Sequence, residues 1–135
     1  MNLGMAGPRR GVREPVPPGN QGESAVPFYL FQLSYSTEAL KGMIAKPSDR
    51  EAAAKQIAEA SGGKLHHLFF SFGRHDVVCL IEAPDDKAMA AVALVVGASG
   101  TVSNVMTTKL MTAAEAMDAM AMAGKAVGAY IPPMG

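Results

Sequence analysis

The run Val77-Val78-Cys79-Leu80-Ile81 places five apolar residues side by side within the segment His75–Ala83. Its length is that of a strand rather than a helix, and its β-branched residues suit a pleated surface. Successive side chains of a strand point to opposite faces, so both faces of this one are apolar. A strand of that kind is covered on both sides. The fold must therefore supply two covers for it.

The punctuation around this run predicts the first cover. Phe28–Ser36 (FYLFQLSYS), rich in aromatics, reads as a first strand, and Thr37 can cap a short helical turn through Met43. Pro47-Ser48-Asp49-Arg50-Glu51 then predicts a helix start, with Ser48 as N-cap and Glu51 closing a capping box. Ala53, Ala54, Ile57, Ala58 and Ala60 give that helix a stripe of small side chains, and Gly62–Gly63 stops it. Leu65–Phe72 is the second strand, Gly73–Arg74 a tight connection, and His75–Ala83 the third strand. Asp85 caps a second helix, in which Met89, Val92, Ala93 and Val96 share one face before Gly97 and Gly100 end it. Val102–Met111 is the fourth strand. Thr112 and Glu115 open a closing helix through about Val127, with Met117, Met120, Ala121 and Val127 along its stripe. Ile131-Pro132-Pro133 ends the chain as an extended tail.

This order, β-α-β-β-α-β plus a C-terminal helix, is the split-βαβ pattern of an α+β, ferredoxin-like fold. Right-handed crossovers put both helices on one face of a four-stranded antiparallel sheet with strand order 4-1-3-2. The expected organisation is a disordered leader over 1–26, the domain over 27–111, and the helix with its tail over 112–135. The leader's prolines and sparse large apolar side chains give it no surface to bury. The second cover has two candidates, a second subunit or the C-terminal helix. A folded part of about 100 residues buries only roughly 60–70% of its unfolded surface, so burial by self-association adds useful stability. A homodimer or higher homo-oligomer is expected.

Charge excludes several classes of partner. Twelve basic residues balance twelve acidic ones, Trp is absent and aromatics are few, so neither nucleic acid nor an anionic membrane is an expected partner. No apolar run of about 18 residues spans a bilayer. Arg9, Arg10 and Arg13 are followed by Pro15, Pro17 and Pro18 where a signal peptide needs an apolar stretch, so a cytoplasmic location is expected. Cys79 is the only cysteine, which rules out an intrachain disulfide and fits a reducing compartment. Its apolar neighbours predict a buried, inert thiol.

Several short segments resemble the GYD-domain proteins, small bacterial proteins similar to the dimeric α/β-barrel group. They are Ser48-Asp49-Arg50-Glu51, Gly62-Gly63-Lys64, Gly73, Asp76-Val77-Val78, Glu82-Ala83-Pro84-Asp85-Asp86 and the stretch from Gly97 to Val102. The resemblance covers about residues 27–112. The family's glycine–tyrosine–aspartate signature reads here Gly73-Arg74-His75-Asp76, with histidine in the tyrosine place. The resemblance implies a fold and a dimeric habit, and it carries no settled activity. Related barrel families include cofactor-independent monooxygenases and isomerases alongside non-catalytic members, a likeness at the level of fold.

A two-residue loop at Gly73–Arg74 would pair Phe72 with His75, Ser71 with Asp76, Phe69 with Val78 and His67 with Leu80. In that register Leu65, His67, Phe69 and Ser71 share a face with Asp76, Val78, Leu80 and Glu82. His66 and His67, adjacent on a strand, point to opposite faces, and His66 lies roughly 20 Å from His75 at ~3.3 Å per residue. Three histidines so placed cannot converge within one chain on an ion with bonds of about 2 Å, so no metal site is expected, nor any cofactor. Asp76 is either a general base or ligand-orienting acceptor at a cavity mouth, or the acceptor that fixes the hairpin. His67 and Tyr29 are its candidate catalytic companions. Arg74, His75 and Tyr35 are candidate ligand-binding residues. The expected function is a non-catalytic or accessory module binding a small apolar molecule or a protein partner. The alternative is a cofactor-free enzyme of the dimeric barrel type, using Asp76 with His67 or Tyr29.

Overall fold

A computed structural model describes residues 26–134. Apart from Val26, the expected leader lies outside the described residues. The elements run β1 (Phe28–Tyr35), α1 (Thr37–Ala45), α2 (Arg50–Ala60), β2 (Lys64–Phe70), β3 (Val77–Glu82), α3 (Asp86–Ala98), β4 (Val102–Leu110) and α4 (Ala113–Ala126), which ends in a 3-10 turn over Val127–Ala129. The four strands form one antiparallel sheet in the order β2-β3-β1-β4, as the split-βαβ pattern requires.

Each helix starts on an oxygen that accepts an otherwise orphaned amide. Asp85 Oδ1 accepts from Ala88 N at 2.8 Å, and Thr112 and Glu115 form a complete capping box at α4. Two caps fall one residue from their expected places. Ser36 rather than Thr37 caps α1, and Asp49 rather than Ser48 caps α2, its Oδ1 accepting from Ala52 N at 3.1 Å. Aspartate and serine cap about equally well, so adjacent oxygens compete and the backbone path decides. Gly62 ends α2 at φ +87°, and Gly63 passes so close to β3 that a Cβ there would lie 2.3 Å from the Glu82 carbonyl oxygen.

The core lies on one face of the sheet. Tyr29, Phe31 and Leu33 of β1 and Val77, Cys79 and Ile81 of β3 are buried against Ala58 of α2 and Met89 and Val92 of α3. The opposite face carries Phe28 and Leu30 of β1 and Val78 and Leu80 of β3, all half-buried, with Phe69 of β2 at 60% exposure and Met106 of β4 at 49%. α4 does not cover it. That helix buries no residue, packs substantially against no strand, and leaves Met117 and Met120 each 68% exposed.

The β2–β3 hairpin departs from the expected geometry in two places. The pairs Phe69–Val78 and His67–Leu80 form as expected, but the register shifts between Leu65 and His67. Two residues there oppose one, so Leu65 turns to the helix face, pairs with Ile81 and is buried. His66 joins the open face beside Phe28, the rings 5.4 Å apart, and its Nε2 meets Glu82 Oε1 at 2.8 Å. The two histidines are therefore not on opposite faces. At the other end, β2 stops at Phe70, and a wider connection replaces the two-residue loop. The regular ladder ends at Phe70–Val77, but the Ser71 amide still donates to the Asp76 carbonyl at 2.9 Å and the Gly73 amide to the His75 carbonyl at 3.1 Å. The His75 side chain turns inward, and Asp76 also binds β1. Phe72 adopts a left-handed φ of 52° to make the turn.

Candidate functional site

Residues of the sheet and of both helices α2 and α3 enclose a space between the two layers. The result is a cavity of about 240 Å³. Phe31, Leu33, Val77 and Cys79 form its floor, Ala54 and Ile57 of α2 one wall, and Val92 and Val96 of α3 the other. Burial pushes the Cys79 thiol up to about 12, with the Glu51 carboxylate adding to the effect, so the thiol is neutral and unreactive at physiological pH.

One end of the cavity is polar. Tyr35, Arg50 and Thr101 line it there, and the same three residues line an adjoining pocket of about 390 Å³ with Met43, Lys46 and Ser48. Arg50 opens α2, and Ala53, Ala54 and Ile57 follow it at three, four and seven residues, so it stands on the stripe that faces the cavity. Its Nε is buried and has no hydrogen-bond partner among the described residues, nor is its guanidinium in an ion pair.

The residues singled out in the sequence are dispersed. Asp76 Oδ2 accepts from the Tyr35 amide at 2.9 Å, and the Asp76 amide donates to the Leu33 carbonyl at 2.9 Å. The aspartate thus ties the hairpin end to β1. Ser71, its expected partner, donates through its amide to the Asp76 carbonyl at 2.9 Å, while its Oγ donates to the His75 carbonyl at 2.7 Å rather than to the Asp76 carboxylate. Tyr29 is buried at the other end of β1, roughly 20 Å away at ~3.3 Å per residue. Its hydroxyl donates to Asp86, which also meets Lys109 Nζ at 3.0 Å. Burial and the Asp86 carboxylate push the Tyr29 phenol well above its ordinary range, while the Tyr29 hydroxyl and Lys109 hold Asp86 below the usual carboxylate value. His67 is exposed on the open face, its ring stacked 5.7 Å from Phe69. Asp76, His67 and Tyr29 therefore do not meet within one protomer.

Among the ligand-binding candidates, Tyr35 lines the cavity, Arg74 is exposed in the hairpin connection, and His75 is buried with its Nε2 at 3.4 Å from Asn104 Nδ2. No group of three metal-ligating side chains converges among the described residues. No helix among them is long and apolar enough to cross a membrane. Arg50 was missed in the sequence, although its helical spacing to Ala53, Ala54 and Ile57 marks it as a cation on an apolar stripe.

Fold and site together define a ferredoxin-like α+β domain with an apolar cavity between sheet and helices. The sequence profile of the GYD domain matches residues 29–120, and the chain belongs to that family. The match runs past β4 into α4, so the final helix is not outside the family region as the short segments implied. No curated protein matches the sequence. Among solved structures the chain is similar to a transcriptional regulator from Neisseria meningitidis in complex with L-Met, at 12% identity and a TM-score of 0.49, over 82% of this chain and 62% of that one. It is also similar to Escherichia coli AsnC, at 12% identity and a TM-score of 0.46, over 76% of this chain and 60% of that one. An AsnC family transcriptional regulator from Agrobacterium tumefaciens shows 14% identity and a TM-score of 0.46, over 74% of this chain and 60% of that one. The chain spans about three fifths of the length of these neighbours.

Proposed function

We propose that the protein is a homo-oligomeric accessory module that binds a small, largely apolar molecule in the cavity between the sheet and the helices α2 and α3. The observation that carries this reading is the cavity itself, apolar on its floor and both walls and polar at one end. Ligand sites have that build, a concave apolar chamber with a few placed polar groups, and they fall in the range of roughly 300–1,000 Å³. The cavity and its adjoining pocket lie around the lower end of that range. The candidate acid–base residues stand apart from one another, which favours binding over catalysis. Self-association through the open sheet face completes the reading, since that face holds apolar residues that nothing among the described residues covers.

The test is thermal unfolding of the full chain with 1-octanol, a neutral apolar probe small enough for the chamber. A ligand that binds only the folded state raises the melting temperature with concentration. The wild type should respond, and Ala54→Phe, which fills the chamber from α2, should not respond while keeping its circular dichroism. An unresponsive wild type, or an equal response from the filled variant, sinks the proposal.

A further inference from the structure

We infer that the ligand of this cavity is an organic anion, a small carboxylate with an apolar body, and that Arg50 is the residue that reads its charged end. The inference rests on the cavity being a binding site, as proposed above, and adds the chemistry of the occupant.

Three observations converge on it. The first is the state of Arg50. A guanidinium cannot give up its charge in a protein and offers five donors in a fixed fork. Here Nε is sealed from solvent without an acceptor, and no carboxylate of the described residues pairs with the group. A buried donor left without a partner carries its full desolvation penalty, which an acceptor from a ligand would relieve. The second is place. Arg50 lies where the apolar chamber meets the adjoining pocket, so a molecule filling the chamber presents one end to it. The third is the sign of the surroundings. Lys46 and Ser48 line the adjoining pocket with Arg50, and neither lining includes a carboxylate. A cation would meet two like charges there, and a neutral molecule would leave the guanidinium unanswered. A flat carboxylate matches the guanidinium fork with two parallel hydrogen bonds. The walls of Ala54, Ile57, Val92 and Val96 have no polar group to offer, so the rest of the molecule is hydrocarbon or aryl.

The experiment compares three probes of one length, octanoate, 1-octanol and octylamine, by isothermal titration against the full chain and two variants, Arg50→Met and Arg50→Lys. Octanoate should bind the wild type more tightly than 1-octanol, and octylamine least. Arg50→Met should weaken octanoate roughly 10- to 100-fold, the scale of a hydrogen bond to a charged group, and leave 1-octanol nearly unchanged. Arg50→Lys keeps the charge and loses the fork, so it should fall between. The 1-octanol affinity doubles as the control for folding, because a collapsed chamber loses it too. Equal binding of octanoate and 1-octanol, or an octanoate affinity indifferent to Arg50→Met, overturns the anion inference while leaving the cavity reading in place. Preference for octylamine overturns it as well. If none of the three binds, the cavity reading falls and takes the inference with it.

Discussion

Asp76 shows what a single carboxylate in this fold contributes. Its Oδ2 accepts the Tyr35 amide, and its own amide donates to the Leu33 carbonyl, so one residue joins the hairpin end to β1 at two points. Asp76→Ala leaves the half-buried Tyr35 amide without that acceptor and should cost about 1–2 kcal/mol in urea denaturation. Intact stability together with lost 1-octanol binding would instead make it part of the site. Asp86 gives a pH signature. Its carboxyl is held below the ordinary value of 3.8 by the Tyr29 hydroxyl and by Lys109. A group whose folded pKa is depressed contributes stability above its unfolded value and loses it as pH falls through the folded one. The stability gap between wild type and Asp86→Asn should therefore be constant from pH 7 to 5 and shrink below about 3.8. A gap that persists to pH 2 would show that the effect is not ionic.

At the scale of elements, the sharpest constraint lies between α2 and β2. Gly63 approaches the Glu82 carbonyl where a Cβ would fall 2.3 Å from the oxygen, so Gly63→Ala must push β2 away from β3. It should destabilise by about 1–3 kcal/mol, the cost of overpacking. Gly42 is the internal control. It lies inside α1 with nothing within 4 Å of an added Cβ, so Gly42→Ala should stabilise by about 0.5–1 kcal/mol. Opposite signs in one denaturation series would establish the close approach, and equal signs would deny it. Element order and strand order were legible because capping oxygens, glycines and apolar periods agreed along the chain. The shift at His66 was not legible. Leu65-His66-His67-Leu68 alternates too weakly to fix which residue is inserted, and only the burial of Leu65 beside Ile81 decides it. Arg50 was hidden for a different reason. In Ser48-Asp49-Arg50-Glu51 it reads as one more polar residue of a helix start, and its inward direction becomes evident only once Ala53, Ala54 and Ile57 are placed on the wall of a cavity.

For the whole molecule, the five-residue apolar run still requires its second cover. Val77, Cys79 and Ile81 receive theirs from α2 and α3, while Val78 and Leu80 remain half-buried on a face they share with Leu30, Phe69 and Met106. α4, the intramolecular rival, stands off this face and nothing else among the described residues covers it, which supports the proposal that a second copy of the chain does. The areas allow it. Burying about 600 Å² of apolar surface per subunit contributes on the order of 15 kcal/mol at roughly 25 cal/mol per Å². Association and side-chain ordering cost an estimated 4–15 kcal/mol. A surplus of about 8 kcal/mol, within reach when both subunits contribute, is a micromolar dimer. Leu80 is the place to test it, because its neighbours across the ladder are Leu30 of β1 and His67 of β2, in the middle of the open face. Leu80→Lys would put a charge into the proposed interface while leaving the helix-side core untouched. In sedimentation equilibrium at micromolar concentration, the wild type should have at least twice the 14.0 kDa chain mass. Leu80→Lys should sediment at the chain mass with its far-ultraviolet spectrum unchanged. A wild type that sediments as a monomer would mean that the open face is left to solvent or to a different partner, and the proposed self-association would be wrong.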